Sequence, residues 1–197
     1  MIQISEIAYK TQMNSLHLKR AIDACKKGGV IAYPTEAVFG LGCLPLNEES
    51  VNRILKLKDR SIDKGLILVA SDMEQLEPFV DFSKTVNNHQ SIVASWPGPV
   101  TWLIPAKSTT PDWLTGRHTT LAVRVSAHPI VRDLCQKLGP IVSTSANPSS
   151  AEPAKSSQSV RKYFKSEIEY VIPANINNDL SPSEIRDGVS GDIIRSS

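Results

Sequence analysis

The sequence lacks any long apolar run. No stretch approaches the roughly 20 apolar residues of a membrane-spanning helix, and the opening MIQISEIAYK lacks the apolar core of a secretory signal peptide. With 41% apolar and 21% charged residues, the composition is close to that of soluble globular proteins. We therefore expect a soluble, cytoplasmic protein without membrane partners, in which residues 1–197 form one domain.

Cysteine is scarce. The three cysteines, Cys25, Cys43 and Cys135, are widely spaced, with neither a C-x-x-C pair nor histidines at zinc-finger spacing. Cys25 and Cys135 fall at apolar positions of helical patterns, which favours buried, reduced thiols over catalytic or metal-binding ones. The sequence therefore predicts no dedicated metal site.

The common glycine-rich motifs are missing as well. The chain contains no G-x-x-x-x-G-K-[ST] phosphate loop, no G-x-G-x-x-G dinucleotide motif and no G-x-S-x-G nucleophile elbow. Any nucleotide must consequently be held by another arrangement of residues.

The chain has no strong excess of charge of one sign. Its net charge of +2 argues neither for nor against a nucleic-acid partner. The positive charge is concentrated, however, because residues 53–65 carry five lysines and arginines against two aspartates. We call residues 53–65 the basic cluster.

Short apolar strands alternate with amphipathic helices, which predicts an α/β fold. Helices are predicted over 15–27, after Asn47, at 84–95, over 129–138 and at 158–165, and a capping-box sequence at 71–74 predicts another. Strands are predicted over 30–33, 66–70, 100–104, 121–125, 141–143 and 170–172, with a hairpin formed by 184–186 and 192–194. The order of the strands in the sheet does not follow from the sequence.

Lys58 and Arg60 follow the second predicted helix at its carboxyl end. Alternating cations there can hold successive phosphates, Arg in a bidentate manner and Lys as a point charge. The same cations can instead be solvated and offset the negative end of the helix dipole, which is the simpler interpretation of the spacing alone.

Small polar side chains follow two of the predicted strands. They are Thr35 after the first strand and Ser143, Thr144, Ser145 and Asn147 after the strand that begins at Ile141. Ligands of open α/β sheets bind at such strand ends, although Ser and Asn are also ordinary turn residues. The segment 33–42 is predicted as a loop whose two glycines allow close backbone approach to a ligand, or as a glycine turn closed by Thr35.

Arg124 interrupts the apolar strand LAVRV. An unpaired buried guanidinium is costly, so Arg124 needs an anion. That anion is either a structural Asp or Glu or the carboxylate of a substrate, and the sequence leaves both open.

Taken together and in their order, these segments resemble the YrdC-like threonylcarbamoyl-AMP synthases, in the single-domain bacterial form. The resemblance rests on Y-P-T-E-x-x-x-G-L-G at 33–42, K-x-R at 58–60, P-G-P-V-T at 97–101, A-V-R-V at 122–125 with His128-Pro129, T-S-A-N at 144–147 and P-S-E-I-R-D at 182–187. Two positions depart from the family pattern: Ser61 stands where Pro is common and Ser150 where Gly is common.

The resemblance implies a twisted mixed sheet with flanking helices and a concave, positively charged cavity. It implies a nucleotidyltransferase that condenses L-threonine, bicarbonate and ATP to threonylcarbamoyl-AMP and pyrophosphate. Proteins of the tRNA-modification pathway would use this product to modify adenosine 37. Mg²⁺ would accompany ATP as its counterion, without a dedicated protein site.

The resemblance also implies roles for particular residues. The catalytic residues would be Lys58, Arg60, Ser145 and Asn147. ATP would be bound by these four together with Thr120 and Arg195, and threonine by Thr35, Arg124, Ser143 and Ser183.

A competing interpretation is a binding module that holds double-stranded RNA or tRNA on the basic cluster without catalysis. The near-neutral net charge counts against it, as does the lack of basic residues beside Trp96, Trp102 and Trp113. Weak binding of such RNA is compatible with the enzyme interpretation as well.

Overall fold

The computed structural model describes residues 15–149, 151–176 and 183–196. The strands are β1 Ile31–Pro34, β2 Phe39–Gly42, β3 Ile67–Ala70, β4 Thr101–Pro105, β5 Thr120–Val125, β6 Ile141–Ser145, β7 Tyr170–Val171, β8 Ile185–Asp187 and β9 Ile193–Arg195. The α-helices are α1 over 15–26, α2 Glu48–Leu57, α3 His89–Ser95, α4 Asp112–Thr115, α5 Pro129–Leu138 and α6 Ser157–Phe164. Shorter 3₁₀ helices cover Ile62–Lys64 and Phe82–Asn88. None of the helices in these ranges is long and apolar enough to cross a membrane.

All nine strands join one mixed sheet in the order β7-β1-β2-β6-β3-β5-β4-β8-β9. The pairs β1 with β7, β3 with β5 and β4 with β8 are parallel, and the remaining pairs are antiparallel. This architecture confirms the predicted mixed α/β class, and the strands β8 and β9 form the predicted C-terminal hairpin.

The two faces of the sheet are covered differently. On one face, Leu121, Val123 and Val125 of β5 are buried in a core that also contains apolar residues of α2, α3, α4 and α6. On the other face, α1 and α5 pack over parts of β1, β3 and β6 through residues such as Cys25 and Cys135. These two helices leave the rest of that face, around β4 and β5, available for a cavity.

Two helices begin and end as their sequences predict. The side chain of Asn47 accepts a hydrogen bond from the backbone N–H of Ser50 at 3.0 Å and so caps α2. Pro129 occupies the first turn of α5, and Gly139 follows the last turn with φ +77°. The predicted bounds of α5 are therefore confirmed, and Cys25 and Cys135 are buried and free of disulfides as predicted, as is Cys43.

The segment 33–42 is not a loop, contrary to the prediction. Thr35 to Val38 form a tight turn, and residues 39–42 return as β2 beside β1. The ring of Tyr33 lies against Gly40 and Gly42, where an added Cβ would come within 3.2 and 2.8 Å of it. Gly42 is thus required by the packing of this ring and by the carbonyl oxygen of Val142, which would lie 2.7 Å from such a Cβ, whereas Gly40 only makes room for the ring.

The helix predicted from the capping box at 71–74 does not form, and the chain makes turns there instead. Asp72 does accept a hydrogen bond from the backbone N–H of Gln75 at 3.0 Å, as a helix cap would. Pro78 explains why no helix follows, because proline lacks the N–H that the next turn needs and disfavours helical geometry in the residue before it.

Candidate active site

A cavity of about 590 Å³ lies on the sheet face that α1 and α5 leave uncovered. Its floor is formed by alternate residues of neighbouring strands, such as Ile67 of β3, Leu103 of β4 and Ala122 of β5. These three residues are paired in register across the sheet. The sheet therefore provides a fixed base on which polar side chains of the same strands are held.

Most of the predicted site residues meet in this cavity. Eight of the ten line it: Thr35, Arg60, Thr120, Arg124, Ser143, Ser145, Ser183 and Arg195. Lys58 and Asn147 do not contribute to its lining.

The cavity lining carries an excess of positive charge. Arg60, Lys64, Arg124 and Arg195 contribute four cations, and Glu36 is the single carboxylate among the described residues of the lining. Several fixed cations around one concavity raise the local concentration of anions and stabilise them once bound. The cavity is thus suited to a polyanionic ligand.

Strand alternation explains why polar residues of β5 and β6 reach the cavity. Thr120, Ala122 and Arg124 face it, while the intervening residues of β5 are buried in the core. Ser143 and Ser145 share the corresponding face of β6, and the hydroxyl of Tyr33 donates to Ser143 Oγ at 2.8 Å. Both serines lie within β6, which runs two residues past the predicted strand 141–143 and therefore includes Ser145.

Lys58 is buried. The interpretation that its spacing favoured, a solvated cation at a helix end, is therefore wrong for this residue. Its side chain is 5% exposed, and its ammonium donates to the carbonyl oxygens of Ser145 at 2.5 Å and Asn147 at 2.8 Å. Burial, together with the nearby charge of Arg60, lowers the pKa of Lys58 to about 8. Lys58 thus ties the end of α2 to the segment that follows β6.

Other hydrogen bonds strengthen this connection. The hydroxyl of Ser149 donates to the carbonyl oxygens of Lys58 and Asp59, and the side-chain amide of Asn147 donates to the carbonyl of Ala151 at 2.7 Å. The position of Ser150, where the family commonly has Gly, lies outside the described residues. Its neighbours Ser149 and Ala151 are both fixed by the hydrogen bonds just described.

Arg60 lines the cavity from the chain that follows α2. It donates to the carbonyl oxygen of Gly65 at 3.0 Å, while its Nε is buried without a hydrogen-bond partner. Burial also lowers the pKa of Arg60. The guanidinium consequently retains hydrogen-bonding capacity that the described protein atoms do not use.

Arg124 pairs with Glu36, an acid that the sequence alone does not single out as its partner. Its Nη2 lies 3.3 Å from Glu36 Oε2, and the hydroxyl of Ser126 donates to Glu36 Oε1 at 2.8 Å. Burial alone would raise the pKa of Glu36, but the charge of Arg124 and the hydrogen bonds to the carboxylate outweigh it and lower the pKa. The structural partner anticipated for Arg124 is therefore present, and Glu36 was recognisable as the acid of the Y-P-T-E segment.

The turn that carries Glu36 is closed by Thr35. The backbone N–H and the hydroxyl of Thr35 both donate to the carbonyl oxygen of Val38, at 3.1 and 2.6 Å. The prediction that Thr35 closes a turn is thus confirmed. The turn connects the paired strands β1 and β2.

The C-terminal hairpin completes one side of the cavity. Arg195 donates to the carbonyl oxygen of Ser183 at 2.6 Å, and the hydroxyl of Thr101 in β4 donates to Ser183 Oγ at 3.1 Å. Ser183 and Arg195 are thereby connected to the central sheet as well as to each other.

Buried polar atoms that lack a partner are concentrated around the cavity. Within the described ranges they are Arg60 Nε, Arg124 Nε, Asn147 Oδ1 and His128 Nδ1. Two of these residues line the cavity, and the backbone N–H of His128 donates to Ser126, the partner of Glu36. Since buried polar groups are normally satisfied, the unpartnered nitrogens of Arg60 and Arg124 make this cavity the candidate ligand site. No group of three or more His, Cys, Asp or Glu suited to a metal ion occurs among the described residues.

The fold and the cavity define an α/β protein with a cation-lined site on one face of a mixed sheet. The family model described as "Telomere recombination", which covers Sua5, YciO and YrdC proteins, matches residues 23–197. The chain belongs to this Sua5/YciO/YrdC family.

Curated relatives and a solved structure agree with this membership. The chain is 45% identical to the threonylcarbamoyl-AMP synthase of Pseudomonas fluorescens over 186 residues, which cover 94% of this chain and 100% of that protein. It is 50% identical to the Escherichia coli threonylcarbamoyl-AMP synthase over 177 residues, covering 89% and 93% of the two chains. The structure of P. abyssi Sua5 complexed with L-threonine is similar with a TM-score of 0.80 and 32% identity, covering 86% of this chain and 50% of that one.

Proposed function

We propose that this protein is a threonylcarbamoyl-AMP synthase, which condenses L-threonine, bicarbonate and ATP to threonylcarbamoyl-AMP, pyrophosphate and water. The observation that carries the proposal is the cavity, where four cations and several hydroxyls surround a space of about 590 Å³. Relatives with this name match nearly the whole chain, and a family member has been solved with L-threonine.

The composition of the site suits the chemistry of this reaction. Threonine and bicarbonate must combine as a carbamate, whose oxygen attacks the α-phosphorus of ATP and displaces pyrophosphate. The barrier lies mainly in the alignment of the reactants and in the charge that develops on the phosphate. Fixed cations and hydroxyls can lower such a barrier without a nucleophilic side chain.

The proposed roles are those that the family resemblance implies, and they are supported by the position of eight of the ten residues around the cavity. Arg60 binds the phosphates and bicarbonate, Thr120 contacts the nucleotide, and Thr35 and Arg124 hold threonine, Arg124 through the carboxylate. Ser143 and Ser145 border the nucleotide and carbamate, Asn147 acts from the segment behind them without lining the cavity, and Ser183 and Arg195 close the site. Lys58 adds its charge beside the carbonyls of Ser145 and Asn147, to which it donates.

The wider setting belongs to the same proposal. Mg²⁺ enters as the counterion of the ATP phosphates, and tRNA-modification proteins take up the product in the cytoplasm. A single sheet contains strands from Ile31 to Arg195. This supports the proposal of one domain over residues 1–197.

The test is to supply ATP, L-threonine and labelled bicarbonate and to measure pyrophosphate. Pyrophosphate release should require threonine and bicarbonate together, because the attacking carbamate contains both. Orthophosphate release, or pyrophosphate release that is independent of bicarbonate, would overturn the proposed function.

The lowered pKa of Lys58 predicts a pH dependence for ATP use. With threonine and bicarbonate saturating, kcat/KM for ATP should fall as the pH rises above about 8, since Lys58 then loses the charge that favours the phosphates. Lys58→Arg should move this alkaline limb upward, because a guanidinium stays charged. An identical alkaline limb in the two proteins would assign it to another group.

A further inference from the structure

Glu36 is unusual in the cavity because of its charge. Among the described lining residues it is the single carboxylate, and it faces a site with four cations. A site for ATP and bicarbonate alone would gain nothing from a carboxylate, since both ligands are anions. Glu36 therefore requires an explanation beyond the binding of phosphate.

Glu36 is held in a defined position. Its carboxylate accepts hydrogen bonds from Arg124 at 3.3 Å and Ser126 at 2.8 Å, and the neighbouring Thr35 closes the turn that carries it. The carboxylate side chain is 22% exposed, so one side of it still faces the cavity. Two oxygens with about four lone-pair directions have capacity beyond these two bonds.

Arg124 also has donors to spare. It uses Nη2 toward Glu36, while its Nε is buried and has no partner. A guanidinium carries five N–H donors in a planar fork, so Arg124 can remain hydrogen-bonded to Glu36 and donate to a second carboxylate as well. The pair thus offers adjacent positive and negative groups to an incoming molecule.

We propose that Glu36 and Arg124 together form a clamp for the head group of a free α-amino acid, in which Arg124 binds the carboxylate and Glu36 binds the α-ammonium. Glu36 is then the residue that makes the site specific for an amino acid over other carboxylic acids. This inference rests on the proposed function, because threonine is the amino acid concerned.

Electrostatics support this assignment. An ammonium group that enters a cavity with four cations is repelled unless a carboxylate lies within contact distance. Glu36 is the described lining residue that can offset this repulsion. Because Arg124 and the hydrogen bonds lower the pKa of Glu36, the carboxylate stays ionised at neutral pH.

A purely structural ion pair would have a different consequence. In that case Glu36 would serve only to orient and neutralise Arg124, and its removal would change the affinity of Arg124 for every carboxylate ligand by the same factor. A head-group clamp instead predicts that Glu36 discriminates between ligands with and without an ammonium. The two interpretations are separated by comparing two ligands of nearly the same shape.

The experiment measures the binding of L-threonine and of 2,3-dihydroxybutanoate, in which a hydroxyl replaces the α-ammonium, by calorimetry on the full chain. The wild-type protein should bind threonine at least about tenfold more tightly than the hydroxy acid. Glu36→Gln, which keeps the shape and removes the charge, should weaken threonine binding by about tenfold and leave hydroxy-acid binding within about twofold. Glu169→Gln is the matched control, since it removes the carboxylate of the Arg53–Glu169 ion pair outside the cavity, and it should change neither affinity.

Equal affinity of the wild-type protein for the two ligands would overturn the clamp, and this measurement does not depend on the folding of any variant. An equal change in the affinities for threonine and the hydroxy acid in Glu36→Gln, in either direction, would also overturn it and leave Glu36 a structural partner of Arg124. If these results appear while pyrophosphate release still requires threonine and bicarbonate, the proposed function stands without the clamp. If the wild-type protein neither binds threonine nor releases pyrophosphate, both proposals fail.

Discussion

Arg60→Ala is expected to reduce the turnover of pyrophosphate release by about a hundredfold or more while leaving the fold intact, because the loss of one preorganised charge removes several kcal/mol of transition-state stabilisation. Arg60 lines the cavity and has a buried Nε without a partner. Its loss should therefore affect the reaction more than the packing. Lys58→Ala is expected to have an effect of similar size, since it also removes a fixed charge beside the site, at the carbonyls of Ser145 and Asn147.

Lys56→Ala provides the control for this prediction. Lys56 belongs to the same basic cluster and to α2, but it is exposed and does not line the cavity. Its replacement should leave turnover within about twofold of the wild-type value, as is usual for exposed side chains away from a site. Turnover and a thermal unfolding curve are measured for all three variants.

The same variants separate the enzyme from the RNA-binding module. An electrostatic RNA surface distributes its affinity over many contacts, so the loss of any one cation should lower the salt slope by about one unit. On such a surface Lys56 and Arg60 would contribute similarly. Normal pyrophosphate release together with abolished RNA affinity in Arg60→Ala would remove Arg60 from the catalytic residues and favour the binding module.

Local signals in the sequence were sufficient for several elements that position the site. Asn47 predicts the start of α2, and Pro129 and Gly139 predict the bounds of α5, because caps act through the nearest backbone groups. The alternation in β5 explains why Arg124 interrupts an apolar strand, since every second residue faces the cavity. These features could be read from residues that are close together in the chain.

Features that depend on distant residues could not be read in this way. Gly40 and Gly42 look like loop residues, and their strand becomes evident only once the ring of Tyr33 covers them. Lys58 has the spacing of a solvated helix end, but its partners are carbonyls roughly 90 residues later in the chain. The ion pair between Glu36 and Arg124 likewise joins the turn after β1 to a strand far along the sequence.

Arg124→Lys is expected to weaken the use of threonine by about tenfold to a hundredfold while changing ATP affinity much less. A guanidinium can bind the threonine carboxylate through two parallel hydrogen bonds and still contact Glu36, whereas an ammonium lacks this geometry. The variant keeps the positive charge next to Glu36. A loss of threonine use would therefore reflect the lost guanidinium geometry and not an unpaired Glu36 carboxylate. KM values for threonine and ATP are measured together with the melting temperature. An unchanged KM for threonine with a lowered melting temperature would show that Arg124 serves the Glu36 ion pair and does not bind the substrate.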